Sequence, residues 1–176
     1  MNKIYRYRII VFIPIFLLLI ILLVFIPYKD SLVLYDQHTK RVLAYLPFTD
    51  QKNFQIMYTH SIHLSDVVES YKISNDQKII QYELMYEDFA IGMPSNAEAG
   101  EKFLQKDGKY YIKNMQRVFP YFDLRTGKVR ANHRLLYKQR VYPMSNFVEP
   151  GTLIRIKPDK LSLIQQMKGV NILGTK

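Results

Sequence analysis

The sequence predicts a mainly β domain, with a β-sandwich or barrel-like fold, that follows one N-terminal transmembrane helix. Three observations lead to this prediction: one long apolar run near the N-terminus, short segments of alternating character after it, and turn signals between those segments. The 176 residues carry a formal net charge of +10 and include no cysteine. The lack of cysteine excludes disulfides, thiolate metal sites and cysteine nucleophiles.

The apolar run covers residues 9–26 and is interrupted only by Pro14. A helix of about 18 residues is roughly 27 Å long, close to the hydrocarbon thickness of a bilayer. A cleaved signal peptide is the alternative, but the segment after the run has no Ala-x-Ala pattern. We therefore expect residues 1–27 to be an uncleaved membrane anchor.

Basic residues stand on one side of the apolar run. The positive-inside rule then places the N-terminus in the cytoplasm and the domain of residues 28–176 outside the membrane, as a single-pass protein of the cell membrane. This location makes nucleic acid an unexpected partner, and nothing in the sequence indicates a cofactor. The basic residues before the run are Lys3, Arg6 and Arg8.

Alternation of apolar and polar residues predicts about eight short strands in residues 28–176. Turn-forming residues separate them, as at residues 74–77, 107–108 and 126–127. The predicted strands cover residues 31–35, 42–46, 54–58, 67–73, 79–86, 110–115 and 129–137, with a late strand around Ile154 and Ile156.

Three further features of this domain are predicted: a loop, a short helix and the two faces of one strand. Residues 90–102 are rich in loop formers, and Pro158 followed by Asp159 predicts a short helix over residues 160–167. In this helix Leu161 and Ile164 should face inward. Strict alternation in the strand of residues 79–86 predicts two faces: Ile80, Tyr82, Leu84 and Tyr86 on one, and Gln81, Glu83 and Glu87 on the other.

The densest polar cluster, residues 60–69, lies between two predicted strands. A metal site would use His60 and His63 with Glu69 or Asp88 as a further ligand, but the sequence has no HExxH spacing. Polar residues that satisfy backbone groups at a strand junction are the favoured interpretation.

A hydrolase interpretation of the same cluster is disfavoured. Ser61 directly follows His60, so on a strand the two would point to opposite faces, and the chain has no Gly-x-Ser-x-Gly elbow. Two other charged groups, the carboxylates of Glu83, Glu87 and Asp88 and a basic run, are interpreted as solvated strand faces. A contact with lipid headgroups is the functional alternative for the basic run. The basic run comprises Lys128, Arg130, Arg134, Lys138 and Arg140.

Three segments together resemble the family called domain of unknown function 1850. The first is Tyr-Thr-His-Ser-Ile at residues 58–62, the second is Val-Val-Glu-Ser-Tyr at residues 67–71, and the third is Ile-Gly-Met-Pro at residues 91–94. The resemblance covers about residues 50–140. The motif positions that it carries over are His60, Ser61, Glu69, Gly92 and Pro94.

The resemblance implies a small exported or anchored protein associated with tripartite ATP-independent periplasmic (TRAP) transporters of the TAXI type. The expected function is therefore a non-enzymatic accessory protein that docks on the transporter membrane subunit or on the TAXI solute receptor. The alternative is a stand-alone extracytoplasmic domain that binds a solute or a metal, with His60, His63 and Glu69 converging on one pocket. His60 and Glu69 flank one strand turn and are candidates to pair across it.

Overall fold

The computed structural model describes residues 3–88 and 93–175, with side chains described from residue 12 onward in those ranges. Two helices, twelve strands and two short 3-10 turns are found there. In chain order they are α1 (Lys3–Phe25), β1 (Lys29–Asp36), β2 (Val42–Pro47), β3 (Asn53–Thr59), β4 (Asp66–Ile73), β5 (Ile79–Tyr86), β6 (Lys102–Lys106), β7 (Lys109–Phe119), β8 (Phe122–Arg125), β9 (Arg134–Tyr137), β10 (Arg140–Pro143), a 3-10 turn (Met144–Asn146), β11 (Leu153–Leu161), α2 (Leu163–Lys168), β12 (Val170–Asn171) and a 3-10 turn (Ile172–Gly174).

The strands form two sheets, so the prediction of a mainly β domain is confirmed. The five-stranded sheet has the order β12-β2-β1-β11-β8, and the seven-stranded sheet has the order β10-β9-β3-β4-β5-β7-β6. Most neighbours are antiparallel, and β12 pairs with β2 in parallel. The first and the last long strands, β1 and β11, pair along their full length from Lys29 opposite Leu161 to Asp36 opposite Ile154.

Side chains from both sheets form one hydrophobic cluster, here the first cluster. The five-stranded sheet contributes Leu34 and Ile156, and the seven-stranded sheet contributes Ile56 and Leu135; each is at most 1% exposed. Burying a side chain of this size stabilises the fold by about 1.5–3 kcal/mol. The two sheets are therefore held together by a shared core.

A second cluster lies farther along the seven-stranded sheet. It is built on β4, β5 and β7, and Met93 and Phe103 pack against it from outside the three strands. Both clusters reach the same face of β4: Val67 of the second cluster is two residues before Glu69, and Tyr71 of the first cluster is two residues after it. Its buried members are Val67, Leu84, Tyr86, Ile112 and Met115.

The predicted faces of the strand at residues 79–86 are wrong in its first half. The pairing register of β5 shifts between Gln81 and Glu83. Such a bulge inserts an extra residue and exchanges the two faces. As a result Gln81 is 7% exposed on the buried side, while Leu84 and Tyr86 face inward as predicted.

The predicted helix over residues 160–167 begins too early. Pro158 lies within β11, opposite Leu32 of β1, and Leu161 is still part of that strand. The pairing of β11 with β8 ends at Ile156, so Pro158 lies where a missing backbone N–H is tolerated. The helix starts only at Leu163, where Ser162 and Gln165 form a capping box.

The helix α1 carries Pro14 and is followed directly by the domain. The backbone N–H of Tyr28 donates to the carbonyl oxygen of Leu161 at 3.2 Å, and β1 begins at Lys29. In the part of the chain that the structure describes, no helix has the length and apolar character needed to cross a membrane.

Candidate functional site

The first motif forms the turn between β3 and β4. The N–H of His60 donates to the carbonyl oxygen of Ser65 at 2.8 Å, and the N–H of Leu64 donates to the carbonyl oxygen of His60 at 3.0 Å. Leu64 has a φ of 58°, a left-handed conformation that closes the turn. This well-bonded turn leaves Ile62 and Leu64 about two-thirds exposed, at 62% and 63%.

The two histidines of this turn lie near each other, and Glu69 lies elsewhere. The ring centroids of His60 and His63 are 5.9 Å apart. Thr59, just before His60, is opposite Asp66, and Glu69 is three residues farther along β4, which at 3.3 Å per residue is roughly 10 Å. Among the described residues no three His, Cys, Asp or Glu side chains form a group that could hold a metal ion.

Glu69 is a partly buried carboxylate on the inner face of the seven-stranded sheet. It lies between Val67 of the second cluster and Tyr71 of the first cluster. The hydroxyl of Tyr71 donates a hydrogen bond of 2.7 Å to its Oε2 atom. Because residues two apart on a strand share a face, this pair is local to β4. The structure thus pairs Glu69 with Tyr71 and not with His60.

Burial perturbs the titration of this group. It raises the pKa of Glu69 above its ordinary value of 4.5, while the hydrogen bond from Tyr71 acts in the opposite direction. Burial and the nearby charge of Glu69 raise the pKa of Tyr58 to about 12. The pKa of Tyr71 is also raised, first by burial and then by Glu69. No ion pair to Glu69 is found within the described ranges.

Aromatic rings hold this carboxylate and its partner in place. Tyr71 is stacked between Phe54 and Phe122, with centroid distances of 5.2 and 5.1 Å. Tyr58 stacks on His133 at 5.5 Å. Sequence reasoning missed the stacks on Phe122 and His133, because these two residues are far in the chain from the tyrosines that they contact. Only the spacing of Glu69 and Tyr71 carried a local signal.

His133 is a neutral imidazole on this side of the domain. Burial lowers its pKa, and its Nδ1 atom accepts a hydrogen bond of 3.1 Å from the backbone N–H of Gly127. A ring nitrogen that accepts must be unprotonated, so the two observations agree.

A polar cluster joins β3, β4 and β9 next to the motif turn. The Arg134 guanidinium contacts Asp66 Oδ1 at 2.6 Å, and the hydroxyl of Thr59 donates to the same oxygen at 3.1 Å. Arg130 donates to the backbone carbonyl of Ser61 at 3.3 Å. Two members of the basic run are therefore bound to the motif region, so the run is not simply a solvated strand face.

The other charged group behaves as predicted for a solvated strand face. Glu83 forms an ion pair with Lys113 at 3.1 Å, and Glu87 forms one with Lys109 at 3.0 Å. The first pair joins β5 to β7, and the second joins the residue that follows β5 to the first residue of β7. Both carboxylates are therefore neutralised by lysines on the same surface of the sheet.

The third motif lies in the segment after β5. The hydroxyl of Tyr86 donates a hydrogen bond to the carbonyl oxygen of Pro94, and Met93 packs against the second cluster. Pro94 thus helps to hold this segment on the sheet. Gly92, also a motif position, lies outside the described residues.

Comparison with protein families confirms the resemblance. The family described as "Domain of unknown function (DUF1850)" matches residues 54–144, slightly more than half of the chain. The chain belongs to this family. The match begins in β3 and ends at the 3-10 turn after β10, so it contains all of the seven-stranded sheet except Asn53, together with β8 of the other sheet. Curated proteins and solved structures give no match.

Proposed function

We propose that the protein is a membrane-anchored, extracytoplasmic accessory component of a TAXI-type TRAP transporter and has no enzymatic activity. Residues 1–27 are the anchor, and residues 28–176 form the domain outside the membrane. Membership of the family supports the transporter role, through the association that the resemblance implies. The partner is the membrane subunit of the transporter or its solute receptor.

The exposed side chains of α1 support the anchor. From Phe12 to Ile26 the large apolar side chains of the chain are mostly exposed, for example Phe12 and Leu23 at 68% each. A helix that is apolar on all sides needs a nonpolar environment around it. Since the β domain does not cover these side chains, the hydrocarbon of a bilayer would do so.

The motif turn supports the docking role, and the single observation that carries it is the exposure of Ile62 and Leu64. Backbone hydrogen bonds and the contact from Arg130 to Ser61 hold this turn in one shape. A rigid turn with two exposed apolar side chains loses little conformational entropy when a partner covers it.

Purification of the tagged full-length protein from its native membrane in mild detergent tests this function. The transporter membrane subunit or solute receptor should co-purify in near-equal amounts. Ile62→Ser with Leu64→Asn should abolish the co-purification, since both apolar contacts are removed. Val141→Ser is the matched control, because Val141 is an exposed residue of β10, at 53%, outside the turn. Recovery of the protein alone would refute the proposal.

A solute-binding domain is the second candidate, and the position of Glu69 favours it. A partly buried carboxylate on an inner sheet face, bonded to the Tyr71 hydroxyl and close enough to Tyr58 to raise its pKa, would attract a small organic cation. A ligand that binds the folded state raises the melting temperature. A thermal-shift screen with small amines and divalent metals should then show a shift that is lost in Glu69→Gln. If no probe shifts the wild-type protein, this candidate is dropped.

A further inference from the structure

The short helix α2 presents an apolar face next to the end of α1. Leu163 and Met167 are four residues apart, so they lie on one face of α2, and they are 42% and 78% exposed. Leu163 also lines a groove of about 360 Å³ together with Leu23, Ile26 and Tyr28. Apolar surface of α2 therefore continues the apolar surface of α1.

The register of the strands places α2 at the level where the chain leaves α1. Lys29, the first residue of β1, is opposite Leu161, the last residue of β11. The capping residue Ser162 follows at once, and α2 starts at Leu163. If α1 spans a bilayer, α2 lies at the surface of that bilayer.

Basic side chains flank this apolar face. Lys160 and Lys168 stand before and after it and are exposed. Two carboxylates lie close by. Asp159 is engaged by Lys157 Nζ at 2.9 Å and by the hydroxyl of Tyr35 at 3.1 Å. Asp30 of β1 lies opposite Lys160. Lys168 has neither of them as a strand neighbour. Apolar residues flanked by lysines on a surface helix suit the boundary between anionic headgroups and acyl chains.

We infer that α2 is a second membrane contact, which lies in the interface of an anionic bilayer. Leu163 and Met167 enter the acyl region, and Lys160 and Lys168 reach the headgroup phosphates. The inference rests on the proposed anchor, and it implies that the β domain has a fixed orientation relative to the membrane. One helix leaves a domain free to rotate and tilt, whereas two contacts hold it upright.

This orientation places the motif turn far from the membrane. The turn is bonded to the segment after β8, since Thr59 N–H donates to the carbonyl oxygen of Ala131. Arg125 at the end of β8 pairs with Leu153, at the opposite end of β11 from Leu161. Eight residues of strand at 3.3 Å span roughly 26 Å. The turn therefore faces a partner that stands out from the bilayer, as a soluble receptor does.

Fluorescence quenching by lipids tests the inference, because the chain contains no cysteine and can be labelled at single introduced ones. Met167→Cys, Leu18→Cys and Val129→Cys would each carry the same fluorophore in the full-length protein. Leu18 is 57% exposed on α1, and Val129 is 89% exposed on the segment after β8. The proteins would be reconstituted at low protein-to-lipid ratio in phosphatidylcholine vesicles with or without phosphatidylglycerol, with nitroxide on the acyl chains.

The inference predicts strong quenching of the Leu18 label and severalfold stronger quenching of the Met167 label than of the Val129 label. Quenching at Met167 should increase with phosphatidylglycerol and fall when Lys160→Glu and Lys168→Glu are added. Quenched Leu18 with unquenched Met167 would overturn the contact of α2 and leave the anchor intact. An unquenched Leu18 label would overturn the anchor itself. A Met167 label in an apolar environment that lipid nitroxide does not reach would indicate a second copy of the chain on this face, and would also overturn the inference.

Discussion

Replacing Tyr71 by phenylalanine isolates the hydrogen bond that holds the Glu69 carboxylate. A phenylalanine ring at this position keeps the stacking on Phe54 and Phe122, at 5.2 and 5.1 Å, so the loss is confined to the 2.7 Å bond from the hydroxyl. A hydrogen bond to a charged group contributes about 1.5–3 kcal/mol. For a chain of this size, that loss lowers the melting temperature by roughly 3–12 °C.

The loss should depend on pH. Once the carboxyl is protonated, below its folded-state pKa, which burial raises above the ordinary 4.5, the bond joins two neutral groups. Its contribution then falls to about 0.5–1.5 kcal/mol. Because the hydrogen bond from Tyr71 lowers the pKa of Glu69, Tyr71→Phe should also raise that pKa. The stability gap between wild type and variant should therefore widen as the pH rises through the pKa of Glu69.

Urea unfolding of the full-length protein, followed by far-ultraviolet circular dichroism at several pH values, measures this gap. Glu69→Gln supplies the matched background, because the glutamine amide accepts the same bond without charge. In that background Tyr71→Phe should cost the smaller amount at every pH. A gap that is equal at low and neutral pH, and unchanged by Glu69→Gln, would show that the carboxylate does not use this bond.

Three further perturbations test the fold and the site. Burial raises the folded-state pKa of Glu69, so the contribution of its protonated form to stability is full below pH 4.5 and is lost as the pH rises through the folded-state pKa. Glu69→Gln should therefore be more stable than wild type at neutral pH, as measured by urea unfolding. Equal stability at that pH would contradict the burial argument. Leu135→Ala truncates a fully buried side chain in the cluster formed by both sheets and should cost about 2–5 kcal/mol in the same assay. Val141→Ala, at an exposed position, should be nearly neutral. Ser162→Ala breaks the capping box with Gln165 and should cost about 1 kcal/mol, whereas Ser162→Thr, which keeps a hydroxyl without adding charge at this buried position, should cost less.

The strands were the most predictable part of this molecule. The strand predicted over residues 79–86 has the observed bounds of β5, and the strand over residues 67–73 differs from β4 by one residue. The predicted strand over residues 129–137 was too long, because only Arg134–Tyr137 pairs with β3 and β10. Alternation records which residues can be buried on a pleated surface, and it records nothing about bulges or pairing.

The site was less predictable for the same reason. The motif positions named His60 and Glu69, but the side chains that surround Glu69 come from several strands. Tyr71 could have been found by counting two residues along the strand. The stack of Tyr58 on His133 could not, since it depends on the pairing of β3 with β9. The helix prediction from Pro158 was wrong because proline is also tolerated in a strand where that strand pairs with only one neighbour.

The pairing of β1 with β11 has a consequence for the order in which the chain folds. The bond between Tyr35 and Asp159 joins residues 124 positions apart. During synthesis the first strand emerges early, yet its partner is among the last segments to appear. Until then Leu32 and Leu34 have no complete sheet on which to pack, although both are fully buried in the finished domain. Contacts this distant in sequence slow folding. A chain that stops short of β11 should keep the apolar side chains of β1 exposed, and we expect proteases to degrade it faster than the full-length chain.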